Sequence, residues 1–307
     1  MNPAHTQAII DLGTNTILMV VGRLQADGKT EILADLHAIA RLGKGVDAKG
    51  HILPETLERV GEFFQDYKKR ALSLGADQIS AFGTSALRDA ANREDFIASI
   101  KRLSGIEVFT LSGREEARLT FAGAGFGIEL PKCYCVLDIG GGSTELAYGS
   151  HGHVQQLASV DLGALRITER HFDRLPPSSA QLEAARATIR EQLGKLFTYP
   201  AGVALVGVAG TATTIGALAS GVEDFNAASL NGHILPQSKV AEITAYLATL
   251  ELERIRAIRQ IHPQRADIIT AGALILSTAL DLFQCSELIV STRGIRYGLL
   301  ARALKRS

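Results

Sequence analysis

Two short segments, Asp11-Leu12-Gly13-Thr14-Asn15-Thr16 and Asp138-Ile139-Gly140-Gly141-Gly142-Ser143-Thr144, each put an aspartate at the end of an apolar run and follow it with glycines and hydroxyl or amide residues. Glycine leaves backbone N–H groups unshielded, so turns of this composition can close on phosphate oxygens. An aspartate just before the turn can reach a magnesium ion or its water shell, and Glu145, seven residues after Asp138, can join it. Hard oxygen donors of this kind, Asp11, Asp138 and Glu145, suit Mg2+ or Mn2+ and not Zn2+. A third glycine turn, Gly207 to Thr211, brings Gly210 and Thr211 to an expected helix start, again suited to an anion. It reads equally as a strand-to-helix turn with Thr211 as N-cap. One such turn alone is an ordinary β-turn; it is the pair on like strands that points to a clamp on one phosphate chain.

Hydrolysing a phosphoanhydride also needs a group to orient or deprotonate water, and positive charge on the phosphoryl oxygens. The segment Ser112-Gly113-Arg114-Glu115-Glu116-Ala117-Arg118 offers two candidates for the first task. Ser112 and Glu115 fit the S-x-x-E capping box, which commits Glu115 to a backbone N–H. Glu116 points about 100° further round the helix and can face a cleft. Arg88 follows a strand end and carries a planar, permanently charged fork that can reach a phosphate chain, or a salt bridge with Asp89 or Glu94. For Arg166, Arg293 and Arg296, substrate contact and structural pairing are equally open. His233 and His262 lack a metal-ligand partner at helical spacing.

The elements that must hold these residues alternate. Strands are expected at 7–11, 17–22, 31–39, 79–82 and 107–111, with helices opening at Pro54, Arg93 and Ser112. The same beginning recurs from Cys133, with Asp138 lying 127 residues after Asp11 (138 − 11). Helices follow over 162–172, 179–197, 236–247, 265–282 and 294–304, and strands over 203–208 and 288–290. This is an α/β pattern built by duplication. At 307 residues there is room for two cores. The balance of 32 basic and 32 acidic residues gives no global field announcing nucleic acid or a membrane. Three cysteines provide neither a disulfide framework nor a zinc set. The most apolar stretch, 268–283, is shorter than the roughly 20 residues of a membrane span. A cytoplasmic protein is expected.

Seven blocks together, DLGTNT at 11–16, GTSALRDAAN at 83–92, SGREEARL at 112–119, DIGGGSTEL at 138–146, GVAGTATTIGAL at 207–218, RADIITAGALIL at 265–276 and VSTRGIRYGLL at 290–300, resemble the exopolyphosphatase and guanosine-pentaphosphatase family. The resemblance spans nearly the whole chain in family order. It implies two duplicated lobes of the actin-like, ribonuclease-H-like fold around an interdomain cleft: 1–124, onto which a helix at about 293–307 packs back, and 125–292. It implies Mg2+-dependent release of terminal phosphate from inorganic polyphosphate, or from guanosine pentaphosphate (pppGpp) at its 5′ end, with Glu116 matching the catalytic glutamate and Arg88 a phosphate-binding position. It further implies a homodimer. The residues expected on phosphate are Thr14, Asn15, Thr16, Arg88, Gly140, Gly141, Gly142, Ser143, Thr144, Gly210 and Thr211. Departures are few: the first loop has Thr14 and Thr16 where the family uses serines, and Tyr297 stands where it often has an acid. Longer members add helical C-terminal domains, so a taste for shorter polyphosphate, or reduced processivity, is expected. A sugar or acid kinase of the same superfamily is the reading from another class, and a catalytically silent nucleotide sensor is a third.

Overall fold

The computed structural model describes residues 5–197, 199–200, 202–222 and 227–306. Residues 1–4 of the expected first lobe and residue 307 of the expected closing helix lie outside it. The chain forms two compact units, Met1–Leu119 with Ile295–Ser307, and Thr120–Gly294.

In the first unit β1 (Thr6–Leu12), β2 (Thr16–Leu24) and β3 (Thr30–Ile39) form an antiparallel meander. After a short helix α1 (Val46–Lys49) comes α2 (Pro54–Ser73), opened by Pro54 at a position where its missing N–H costs nothing. Then β4 (Gln78–Gly83), α3 (Ser85–Asp89), α4 (Arg93–Ser104), β5 (Val108–Thr110) and α5 (Gly113–Ala124) follow. The strand order is β3-β2-β1-β4-β5, with β4 parallel to both β1 and β5. β1 is buried along its whole length, its polar residues Thr6, Gln7 and Asp11 included. Its residues Ala8, Ile10 and Leu12 join Phe64 and Tyr67 of α2 and Ile100 of α4 in one core. Alternation turns Gln7, Ile9 and Asp11 to the opposite face, where the C-terminal helix (Ile295–Arg306) packs on β1 and β2. Two glycines allow that packing. A Cβ on Gly22 would lie 2.6 Å from Leu300 Cδ2, and one on Gly298 only 2.0 Å from the Leu119 carbonyl oxygen.

The second unit repeats the plan: β6 (Cys133–Ile139), β7 (Thr144–Ser150) and β8 (His153–Val160) are an antiparallel meander. They are followed by α6 (Ala164–His171), α7 (Ser179–Leu193), β9 (Ala204–Val208), α8 (Ala209–Ser220), α9 (Ala227–Leu230), β10 (Ile234–Pro236), α10 (Gln237–Leu247), α11 (Leu252–Arg256), α12 (Ile269–Leu282) and β11 (Glu287–Val290). Read from its far edge the sheet runs β8-β7-β6-β9-β11, the order of the first sheet, with β10 added antiparallel to β11. The parallel pairs β6/β9 and β9/β11 also correspond. The duplication expected from two short motifs therefore extends to whole sheet topologies. α12 is buried along most of its length, as an all-round apolar helix must be. It starts at Ile269, later than expected, because Pro263–Arg265 forms a 3-10 turn capped by the His262 ring. Among the described residues no helix is long and apolar enough to cross a membrane.

Candidate active site

Each repeat opens with a strand whose last residue but one is an aspartate, Asp11 in β1 and Asp138 in β6. In the first unit Gly13 N–H closes the turn on the Thr16 carbonyl at 2.8 Å. The loop after β3 then seats on it: Arg41 N–H donates to the Asn15 carbonyl (2.9 Å) and Gly43 N–H to that of Thr14 (2.8 Å). Thr14 and Asn15 are buried, Thr16 half-buried. Two atoms here are costly: Asp11 Oδ1 and Asn15 Nδ2 are buried with no hydrogen-bond partner among the described residues. Leaving such groups unsatisfied costs about 1–3 kcal/mol each. Burial, with the nearby Glu116 charge, pushes the Asp11 carboxyl up to about 7, against a smaller pull from Arg296.

Arg88 and Glu116 meet within this unit. α3, a five-residue helix the sequence pattern did not announce, carries Arg88, whose Nη1 donates to Glu116 Oε2 at 2.6 Å and to the Leu111 carbonyl at 3.0 Å. Arg88 is thus paired across the fold and not merely with its sequence neighbours. The capping box forms as read: Ser112 N–H and Oγ donate to Glu115 Oε2 at 2.9 and 2.7 Å, and Glu115 N–H returns to Ser112 Oγ at 3.3 Å. Adjacent glutamates consequently live in opposite environments. The Ser112 hydrogen bonds hold exposed Glu115 below the ordinary carboxylate range, whereas burial pushes Glu116 above it, opposed by Arg88.

In the second unit Asp138 and Glu145 face each other across β6 and β7, both buried. Thr120 Oγ1 donates to Asp138 Oδ2 (3.4 Å) and Ser159 Oγ to Glu145 Oε1 (2.8 Å). Gly140 N–H closes the turn on the Ser143 carbonyl at 3.0 Å, and Thr144 Oγ1 donates to the Leu162 carbonyl at 2.5 Å. Among the described residues no three acidic, histidine or cysteine side chains form a ready metal cage. The carboxylate pair nonetheless fits Mg2+, which keeps several waters and takes its remaining ligands from phosphate. So does the partnerless Asp11 oxygen.

The third turn differs from the N-cap reading. α8 starts at Ala209 with Val208 as N-cap, so Gly210 and Thr211 are already inside its first turn, with Thr211 buried. The glycine has a packing reason: a Cβ on Gly210 would lie 1.6 Å from Arg265 Nη1. Burial lowers Arg265 to about 10. Sequence reasoning gave Arg265 no role, because no charge pattern separates it from a surface arginine. Arg296, left open by the sequence, is bidentate to Asp35 of β3 (2.9 Å each), and Tyr297 OH donates to the same carboxylate at 2.7 Å.

Known proteins share this sequence and fold over nearly the whole chain. The chain is 35% identical over 281 residues to Exopolyphosphatase 2 of Mycobacterium tuberculosis, covering 88% of each. A solved exopolyphosphatase-like protein matches with a TM-score of 0.93 at 30% identity, covering 98% of this chain and 99% of that one. The Aquifex aeolicus member of the Ppx/GppA protein family matches with a TM-score of 0.85 at 28% identity, covering 99% of each chain. The two sheets belong to the mixed α/β fold of the solved Ppx/GppA family member. With residues 20–307 matching the profile of the Ppx/GppA phosphatase family, the chain belongs to that family and is a phosphoanhydride hydrolase.

Proposed function

We propose that the protein is a cytoplasmic, homodimeric exopolyphosphatase, removing terminal phosphate from inorganic polyphosphate by in-line attack of water with Glu116 as base. The observation that carries this reading is the buried Glu116 carboxylate, raised by its surroundings and held at 2.6 Å by Arg88. In the reaction the water oxygen forms a bond to the terminal phosphorus while its proton passes to Glu116 Oε. The bridging P–O bond breaks, its electron pair leaves on the shortened chain, and orthophosphate is released. Before substrate arrives, Arg88 weakens the base. A terminal phosphate that recruits the guanidinium frees Glu116 of its counter-charge and raises its proton affinity as the nucleophilic water comes into place.

Thr14, Asn15 and Thr16 of the first turn, and Gly140, Gly141, Gly142, Ser143 and Thr144 of the second, hold phosphate oxygens; Gly210 and Thr211, beside Arg265, hold a further one. Asp138 and Glu145 in the second unit, and Asp11 in the first, are the carboxylates that would hold Mg2+, or Mn2+ in its place. Such a metal, when bound, would supply positive charge against the negative charge developing on the phosphoryl oxygens.

Magnesium-dependent phosphate release from long-chain polyphosphate, tripolyphosphate, pppGpp and ATP tests the proposal. Faster release from polyphosphate than from the nucleotides is expected. A pppGpp preference would make the protein the 5′-phosphohydrolase instead, and ATP-dependent phosphorylation of a small acceptor without phosphate release would restore the kinase reading. The Arg88–Glu116 pair makes a separate prediction. Since Arg88 holds the carboxyl down against burial, Arg88→Met is expected to move the acid limb of the kcat/KM profile to higher pH. A limb that stays or moves lower contradicts Glu116 as the titrating base.

A further inference from the structure

The glycine turn of the second unit is fastened from behind. Its three successive carbonyls are all taken by the start of α6. Ala164 N–H donates to Gly140 O at 2.9 Å, Leu165 and Arg166 N–H to Gly141 O at 2.9 and 3.1 Å, and Arg166 Nε to Gly142 O at 2.9 Å. Such an approach requires Gly163, where a Cβ would lie 2.3 Å from the Gly141 carbonyl and 2.4 Å from Gly142 N. In a trans peptide the N–H points opposite to the C=O. Carbonyls turned to α6 therefore send the N–H groups of Gly141, Gly142 and Ser143 to the other side together, an arrangement that receives an anion. The first amides of α6, themselves a possible anion site, are spent in doing so.

Three of these four hydrogen-bonding groups are backbone and indifferent to side-chain identity. The fourth is not. A guanidinium offers Nε–H as a fixed, planar donor partway along the side chain, whereas a lysine ends in a mobile point charge. This contact holds the carbonyl of the Gly142–Ser143 peptide, and so bears on where the Ser143 N–H points.

Resting on the phosphohydrolase reading above, we infer that Arg166 is a positioning residue for the phosphate-binding turn: by holding the Gly142 carbonyl it keeps three backbone amides aimed at one phosphate group. The sequence left Arg166 between substrate contact and structural pairing; the fold gives it a pairing that serves substrate.

Arg166→Met and Arg166→Lys test this with two readouts, each on variants checked for folding by thermal melting. Steady-state kinetics on tripolyphosphate should show KM raised about tenfold in the Met variant with kcat within about threefold, the size expected for losing one charge-assisted hydrogen bond that orders a binding loop. The Lys variant should fall between Met and wild type. A residue needed for stability alone would lower the active fraction, and so the apparent kcat, without moving KM. Hydrogen exchange of residues 139–146, followed by mass spectrometry without substrate, should be faster in the Met variant. Unchanged KM in both variants, or unchanged exchange, overturns the inference. Should the Met protein not fold, the Lys protein carries the same criteria. If the wild type releases phosphate from none of the four substrates, the hydrolase reading falls, and the fastening stands or falls on exchange alone.

Discussion

Glu116→Gln should lose about a thousandfold in kcat while binding tripolyphosphate within a few-fold of the wild-type affinity. A positioned general base is worth roughly 10²–10⁴ in rate, and glutamine keeps the volume of glutamate while being unable to take a proton. The substitution is conservative for the fold as well. Arg88 Nη1 can still donate to the amide oxygen, so no buried donor is orphaned, and the charge removed is one that burial already disfavours. Single-turnover phosphate release, together with binding measured separately, distinguishes the outcomes. A Gln variant retaining more than a tenth of the wild-type rate would remove Glu116 from the chemistry. Loss of binding with rate at saturation intact would instead make it the anchor of Arg88.

Much of this site was legible in the sequence because its pieces are local. The capping box that separates the roles of Glu115 and Glu116 spans four residues, and it formed with the reciprocal hydrogen bonds expected of it. The two Asp-x-Gly turns announced the duplication that the sheet orders β3-β2-β1-β4-β5 and β8-β7-β6-β9-β11 carry through. Contacts between distant segments were not legible. Arg88 is bound to a residue 28 positions away, and Arg296 to one 261 away. Nothing in the type or spacing of an arginine says which carboxylate it will meet once strands are paired. The N-cap reading of Thr211 failed for a related reason: a hydroxyl beside glycines reads as a cap. Here Arg265 fills the space a Gly210 side chain would need, and the helix starts three residues earlier, with Val208 as its N-cap. Likewise α3 is too short to leave a periodic signal, although it aims Arg88.

Removing a carboxylate from the first turn is expected to stabilise the protein while disabling it. Asp11 is buried, has an oxygen without a partner, and has its carboxyl pushed up to about 7 by burial and by Glu116. In the unfolded chain an aspartate titrates near 3.9. Between those values the folded state binds a proton that the unfolded state has lost, so stability falls as pH rises from about 4 to about 7, and the full cost is present above it. Asparagine carries no charge at any of these pH values. In the presence of a chelator, Asp11→Asn should therefore be more stable than wild type at pH 8 by on the order of a few kcal/mol, and nearly equal to it at pH 4. Urea unfolding at the two pH values reads this directly. An equal advantage at both, or none at pH 8, would mean that packing and not charge governs the position. Millimolar Mg2+ should narrow the pH 8 gap, because a cation on the Asp11 carboxylate offsets its burial cost in wild type, whereas the variant has no charge at this position to offset. A side chain that weakens its own fold until a cation arrives is poorly explained by packing, and well explained by a place in a metal-assisted phosphate site.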